Sequence, residues 1–286
     1  MSNQRKGYIM KKIALTSLIA MFAFAGAHAG NVIDGNPLYM PKAGHFYSVS
    51  SLETGTRNVD TVKLKEDFGF GIMDRWAIEL NTELSQDDWF KMAGWDSLGL
   101  TTAFRFADYE NWKWDVIGGY GVGPVWGNGH HEFFHGSFLN KDQTMYTWTV
   151  GLRGGYTEHD FTIAGHLLMD YSNTESFNWD EHKYDVFTPE FYGMHTLRAG
   201  LDAQLVLNNS WNLVAGAEYT KLLDHYNAIR NVGKWDLTFG ANYNLDATKY
   251  LGAYVTKTVN HTRATSQGDW EFADGFGAGV IFGIDF

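Results

Sequence analysis

The sequence predicts an all-β protein, an antiparallel up-and-down β-barrel of about twelve strands that crosses a membrane, with a cleaved export signal ahead of it. Three observations predict this. From residue 45 to the end of the chain, segments of about ten residues carry apolar side chains at every second position, the signature of strands with one greasy face. The connections between these segments alternate short and long. The chain also opens with the pattern of a secretory signal.

Composition sets the bounds. The 286 residues include 32 glycines and 16% aromatics, yet only 44% are hydrophobic. After the signal no run of about twenty apolar residues occurs, which excludes a helical membrane protein. Cysteine is absent, so disulfides, thiolate metal sites and a lipid-modified cysteine anchor are excluded. Lys11 and Lys12 precede an apolar run over 13–24, and Ala27-His28-Ala29 forms an A-x-A cleavage site, so residues 1–29 read as a signal peptide and Gly30 as the mature start. Removing Arg5, Lys6, Lys11 and Lys12 deepens the formal net charge from −11 to −15, which argues against a nucleic-acid partner.

Residues 30–43 contain Pro37 and Pro41, which oppose regular structure, and read as a periplasmic N-terminal lead-in or a strap folded into the barrel; the barrel is expected over 44–286. Strand one spans 45–53, with faces not cleanly divided. Strand two, 59–72, sets Val62, Leu64, Phe68, Phe70 and Ile72 on one side. After the turn at 73–75, strand three sets Trp76, Ile78, Leu80, Thr82 and Leu84 outward. A loop is expected over 85–95. Strand four carries Leu98, Leu100, Phe104 and Phe106 outward, and strand five, 114–126, carries Val116, Tyr120 and Val122. A long loop over 127–144 leads to strand six, with Trp148, Val150, Leu152 and Tyr156 outward. Strand seven presents Phe161, Ile163, Leu167, Met169 and Tyr171, and the longest loop, 173–194, follows. Leu197, Leu201 and Leu205 mark strand eight; Trp211, Leu213, Ala215 and Tyr219 mark strand nine; Trp235, Leu237, Phe239 and Tyr243 mark strand ten. Strand eleven covers 250–259. The last strand runs from Asp274 to Phe286 and alternates Phe276, Ala278, Val280, Phe282, Ile284 and Phe286 with a mostly small row.

A final amphipathic strand ending in Phe286 resembles the assembly-signal strand of bacterial outer-membrane β-barrels. Phe70-Gly71-Ile72-Met73-Asp74-Arg75-Trp76 resembles the Asp-Arg turn of many such barrels, including porin-like families. The resemblance covers the mature chain. It implies integral residence in the outer membrane of a Gram-negative bacterium, short turns at the periplasm, and contact with the lipid bilayer, the outer-membrane assembly machinery and a small-molecule solute. The outward rows agree with closure: a sheet in lipid must pair every backbone polar group internally.

The inward rows carry Lys63, Lys65, Arg105, Arg153 and Arg198 against Asp67, Glu79, Glu83, Asp115, Asp170, Asp202, Glu218 and Asp236, with His166 among them. If Ile72 faces Trp76 across the turn, Lys65 opposes Glu83, and Arg105 lies near both Glu79 and Asp115. Such pairs fit mutual neutralisation in a narrow bore and equally a selectivity ring or ligand clamp. Acids exceed bases, so an open bore should prefer cations.

Two patterns raise catalysis. His131-Glu132-Phe133-Phe134-His135 matches a zinc-protease motif that works only on a helix, and its Gly/His-rich surroundings carry no helical period. His166 and Ser172 share the inward face of strand seven but stand roughly 20 Å apart. No enzyme, cofactor or metal site is therefore expected. The expected function is a porin-like channel for passive diffusion of small polar solutes. The alternatives are a closed structural or surface-binding barrel that uses its acidic, aromatic loops and, remotely, a barrel-embedded lipid hydrolase.

Overall fold

The computed structural model describes residues 35–56, 60–87, 92–124, 144–174, 194–223, 229–230, 233–260, 263–264, 270–271 and 274–286. Twelve strands among them close a single antiparallel barrel. They are β1 (Phe46–Thr56), β2 (Asp60–Met73), β3 (Trp76–Asp87), β4 (Met92–Tyr109), β5 (Trp112–Pro124), β6 (Thr144–Glu158), β7 (Phe161–Thr174), β8 (Met194–Val206), β9 (Trp211–Leu222), β10 (Gly233–Asn244), β11 (Lys249–Asn260) and β12 (Gly275–Asp285). Each pairs with its sequence neighbours, and β12 returns to β1 from Tyr47↔Asp285 to Thr56↔Phe276. Phe46 and Phe286 exchange two backbone hydrogen bonds of 2.8 Å just beyond this ladder. The sheet thus has no free edge, as a spanning sheet requires.

Alternation sorts the side chains. Leu80, Leu100, Val150, Leu167, Leu201, Leu237, Phe239, Leu251 and Val280 are exposed on the outside. Aromatic rings flank them in two rims. Trp112 packs edge-on against Tyr156 and Trp211 lies 5.0 Å from Tyr243 at the end carrying the short turns; Tyr120 with Trp148 and Tyr219 with Trp235 form the other rim. Eight residues of β5 separate Trp112 from Tyr120, roughly 20 Å of height for a tilted strand, the scale of the apolar band of a transmembrane barrel.

The short turns are built from local chemistry. Asn208 Oδ1 accepts from the amides of Ser210 and Trp211, and Asp246 Oδ1 accepts from the amide of Thr248. That amide, with the Thr248 hydroxyl and Lys249 behind it, holds the Asp246 carboxyl below the usual carboxylate range. Glu110 and His159 take positive φ at the tips of two other turns.

Several boundaries differ from the sequence reading. The loop expected at 85–95 is largely strand: β3 continues to Asp87 and β4 begins at Met92, across a register shift at Glu83/Leu84 that the alternation could not show. Strand five is displaced to Trp112–Pro124, and Trp126 lies outside the described residues. A shift between Gly71 and Met73 places Met73, and not Ile72, opposite Trp76. Three two-residue strands, Ile229–Arg230, Arg263–Ala264 and Trp270–Glu271, form a small sheet between the β9–β10 and β11–β12 connections.

The described part of the 30–43 segment lies inside the barrel end that bears the short turns, the strap arrangement. Leu38 is buried and its carbonyl accepts from Arg105 Nη2 at 2.8 Å. Tyr39 packs edge-on against Tyr47 and donates to Asp285 Oδ2 at 2.9 Å. Burial, reinforced by this carboxylate, keeps the Tyr39 phenol protonated far above its usual range. The amide of Ala43 donates to Asp74 Oδ1 at 3.1 Å.

Candidate functional site

The lumen is the candidate site, and its polar side chains arrive there by strand parity. Gly99, Thr101, Ala103 and Arg105 alternate inward on β4, as do Asp115, Ile117, Gly119 and Gly121 on β5. Nearest the strap, Asp115 is fully buried between two guanidinium groups. Arg105 approaches it at 2.8 and 3.3 Å, and Arg153 at 2.6 and 2.9 Å. Arg105 Nη2 also donates to the Leu38 carbonyl, which ties the triad to the strap. Beside it Glu79 accepts a hydrogen bond from Tyr47 Oη.

Farther along the bore, one wall bears Lys65 with Asp67 at 3.0 Å, Lys63 with Glu83 at 2.6 Å, and Asn81 with Thr101 at 3.3 Å. The other wall bears His166, whose Nδ1 lies 3.3 Å from Asp202 and whose Nε2 lies 2.9 Å from Glu218. Arg198 clasps Asp170 through Nε at 2.6 Å and Nη2 at 3.0 Å, and Thr149 donates to the same carboxylate at 2.6 Å. Asp236 takes Lys234 at 2.6 Å and the Thr258 hydroxyl.

All fourteen charged or titratable residues expected in the lumen lie on inward rows of the closed barrel. The predicted partners fare unevenly. Lys65 does stand opposite Glu83, yet Glu83 binds Lys63 and Lys65 turns to Asp67. A long side chain reaches its diagonal or same-strand neighbour as easily as the residue opposite. Arg105 meets Asp115 as expected, whereas the partner of Glu79 is Tyr47. His166 and Ser172 do not meet: Ser172 Oγ lies 2.9 Å from Thr147 Oγ1, and the imidazole is held by its two carboxylates. The motif over 131–135 lies outside the described residues.

Sequence reasoning passed over Tyr47, Glu53 and Asp285, which share the inward parity and could have been found by it. It also passed over Glu66. This residue sits on the outward row between Leu64 and Phe68 and accepts hydrogen bonds from the Ser48 and Ser50 hydroxyls on β1. The interruption of that apolar row was its visible signal.

No family model matches the chain, and no curated protein matches it. Solved structures do. An outer membrane channel from Pseudomonas putida F1 is 12% identical over 90% of this chain and 99% of its own, with a TM-score of 0.51. The translocator domain of the autotransporter NalP from Neisseria meningitidis is 12% identical over 99% and 98%, with a TM-score of 0.49. The KdgM porin is 9% identical over 82% and 97%, with a TM-score of 0.46. At such identities the similarity is one of fold. The closed sheet, apolar outer belt and aromatic rims make this chain an integral β-barrel of the outer-membrane class, in contact with the lipid bilayer along that belt.

Proposed function

We propose that the barrel is a passive channel for small polar solutes across the outer membrane. One observation carries the reading. Lys65, Asp202 and Lys63 point inward from a closed wall, yet 49%, 45% and 40% of their side-chain surfaces remain accessible. In a filled barrel such groups would be buried, as Asp115 is at 0%. Twelve strands about 4.8 Å apart and tilted about 40° close a circle of roughly 24 Å diameter, wide enough to leave water at the axis after side chains are added.

A polar solute entering this bore exchanges its hydration for carboxylates, guanidinium groups and hydroxyls at successive heights. No single site holds it tightly, which suits diffusion in either direction. Inward acids still outnumber inward bases once Glu53, Asp285 and Lys234 are added, so cations should be modestly favoured, less so at high salt.

Planar-bilayer recording tests this. Reconstituted protein should give stepwise currents with a cation-shifted reversal potential across a salt gradient. Glu83→Lys should move that potential toward anions, because it reverses one charge and leaves Lys63 unpaired. Folded protein that carries no current overturns the reading in favour of a closed, surface-binding barrel.

A further inference from the structure

The channel reading leaves one feature of the bore unexplained, the strap at its short-turn end. Residues 35–43 touch walls that are far apart around the ring. Gly35 packs so close to Val214 of β9 and Asn242 of β10 that a Cβ there would fall 2.6 and 2.8 Å from their side chains. Leu38 is tied to Arg105 of β4 and Tyr39 to Asp285 of β12. Gly71 of β2 lies under the carbonyls of Pro41 and Lys42, and Ala43 is bonded to Asp74 in the β2–β3 turn. β2 and β9 are nearly diametric in a ring of twelve. Nine residues reach about 30 Å when extended, enough to cross the bore. The strap therefore runs across the lumen and does not line one wall.

Its contacts are those of a seated element. A backbone carbonyl takes a guanidinium, a phenol takes a buried carboxylate, and Leu38 is 2% exposed among them. The Arg105 anchor also belongs to a charged layer of the bore, where Arg105 and Arg153 clasp Asp115 and Tyr47 bonds Glu79 beside them. By contrast the wall above, at Lys63, Lys65 and Asp202, is open to water.

We propose that residues 35–43 form the size-limiting constriction of the channel, so that the strap, and not the barrel wall, decides which solutes pass. The inference rests on the channel reading and adds the element that sets its cutoff. Gly71 is the seat that permits it: a Cβ there would lie 2.0 Å from the Lys42 carbonyl oxygen, so any side chain must lift the strap.

Two variants test this in planar bilayers, one lacking residues 35–42 and one carrying Gly71→Val. Boiled and unboiled samples on a gel establish that each still forms a barrel. Freed of a chain crossing its full width, the bore should gain conductance roughly twofold or more. Uptake of uncharged sugars of graded size into liposomes should extend to larger members. If either folded variant shows the unitary conductance and size cutoff of the parent protein, the strap is not the constriction, while the channel reading survives. Current from the variants alone upholds the constriction and shows that the intact protein is shut at rest. Silence from parent and variants alike overturns both.

Discussion

Individual side chains carry the cost of this architecture in two places. In the lumen, Asp115 would be a buried unpaired anion without its two arginines, and removing Asp115 would leave the buried Arg105 guanidinium without its counter-ion. On the outside, Glu66 lies on the lipid-facing row and accepts hydrogen bonds from two serine hydroxyls. A carboxyl so placed tolerates loss of charge but not its reversal. Glu66→Gln keeps an acceptor for the serines and should alter unfolding free energy by less than about 1 kcal/mol, whereas Glu66→Lys places a cation on the lipid face and should cost about 2–4 kcal/mol. Urea titration of the barrel refolded in lipid vesicles measures both. Equal losses would place Glu66 away from the lipid.

At the level of the strand, parity decides the fate of every substitution. On β10, Phe239 is exposed outside the barrel and Thr238 points into it, one residue apart. Phe239→Arg should cost about 2–4 kcal/mol in the same assay, and Thr238→Arg clearly less, because the lumen offers water and carboxylates. A reversed order would mean that the strand is turned over. The closing strand makes a second point. Phe286 receives and donates the outermost backbone bonds of the β1–β12 seam and stacks 6.4 Å from Phe46. Deleting it should lower the fraction of heat-modifiable, folded barrel in outer membranes while total synthesis stays constant. An undiminished folded band would remove Phe286 from the assembly step that its terminal position suggests.

Across the whole molecule, the closed sheet does two jobs that pull against each other. Closure satisfies the backbone and presents a largely apolar wall to lipid, which favours a simple, regular cylinder. On the channel reading, permeation needs a wet interior, and hence charged rows whose members must neutralise one another at each height. The structure reconciles these by burying the cluster around Asp115 at one end and leaving better hydrated pairs, such as those of Lys65 and Asp202, elsewhere. The strap lies at the Asp115 end, where its carbonyl and phenol complete the pairing.

The sequence by itself determined the barrel, its strand count, the facing of nearly every strand and most of the lumen charges, though not Glu53, Asp285 or Lys234. It could do so because lipid on one side and water on the other impose a strict two-residue period, and because turns such as 208–210 and 246–248 carry their own capping side chains. Only the tertiary structure decided who meets whom. Lys63 rather than Lys65 binds Glu83, His166 gathers acids from β8 and β9, and Tyr39 reaches Asp285 across 246 residues. Strand tilt and the register shifts at Gly71/Met73 and Glu83/Leu84 fix which inward residues share a height, and neither is written in the alternation of polar and apolar positions. In the sequence the strap was legible only as the alternative to a periplasmic lead-in, because Pro37 and Pro41 oppose regular structure without saying where the segment packs. Its seat is made by five strands spread around the ring, so its place across the bore exists only once the ring has closed.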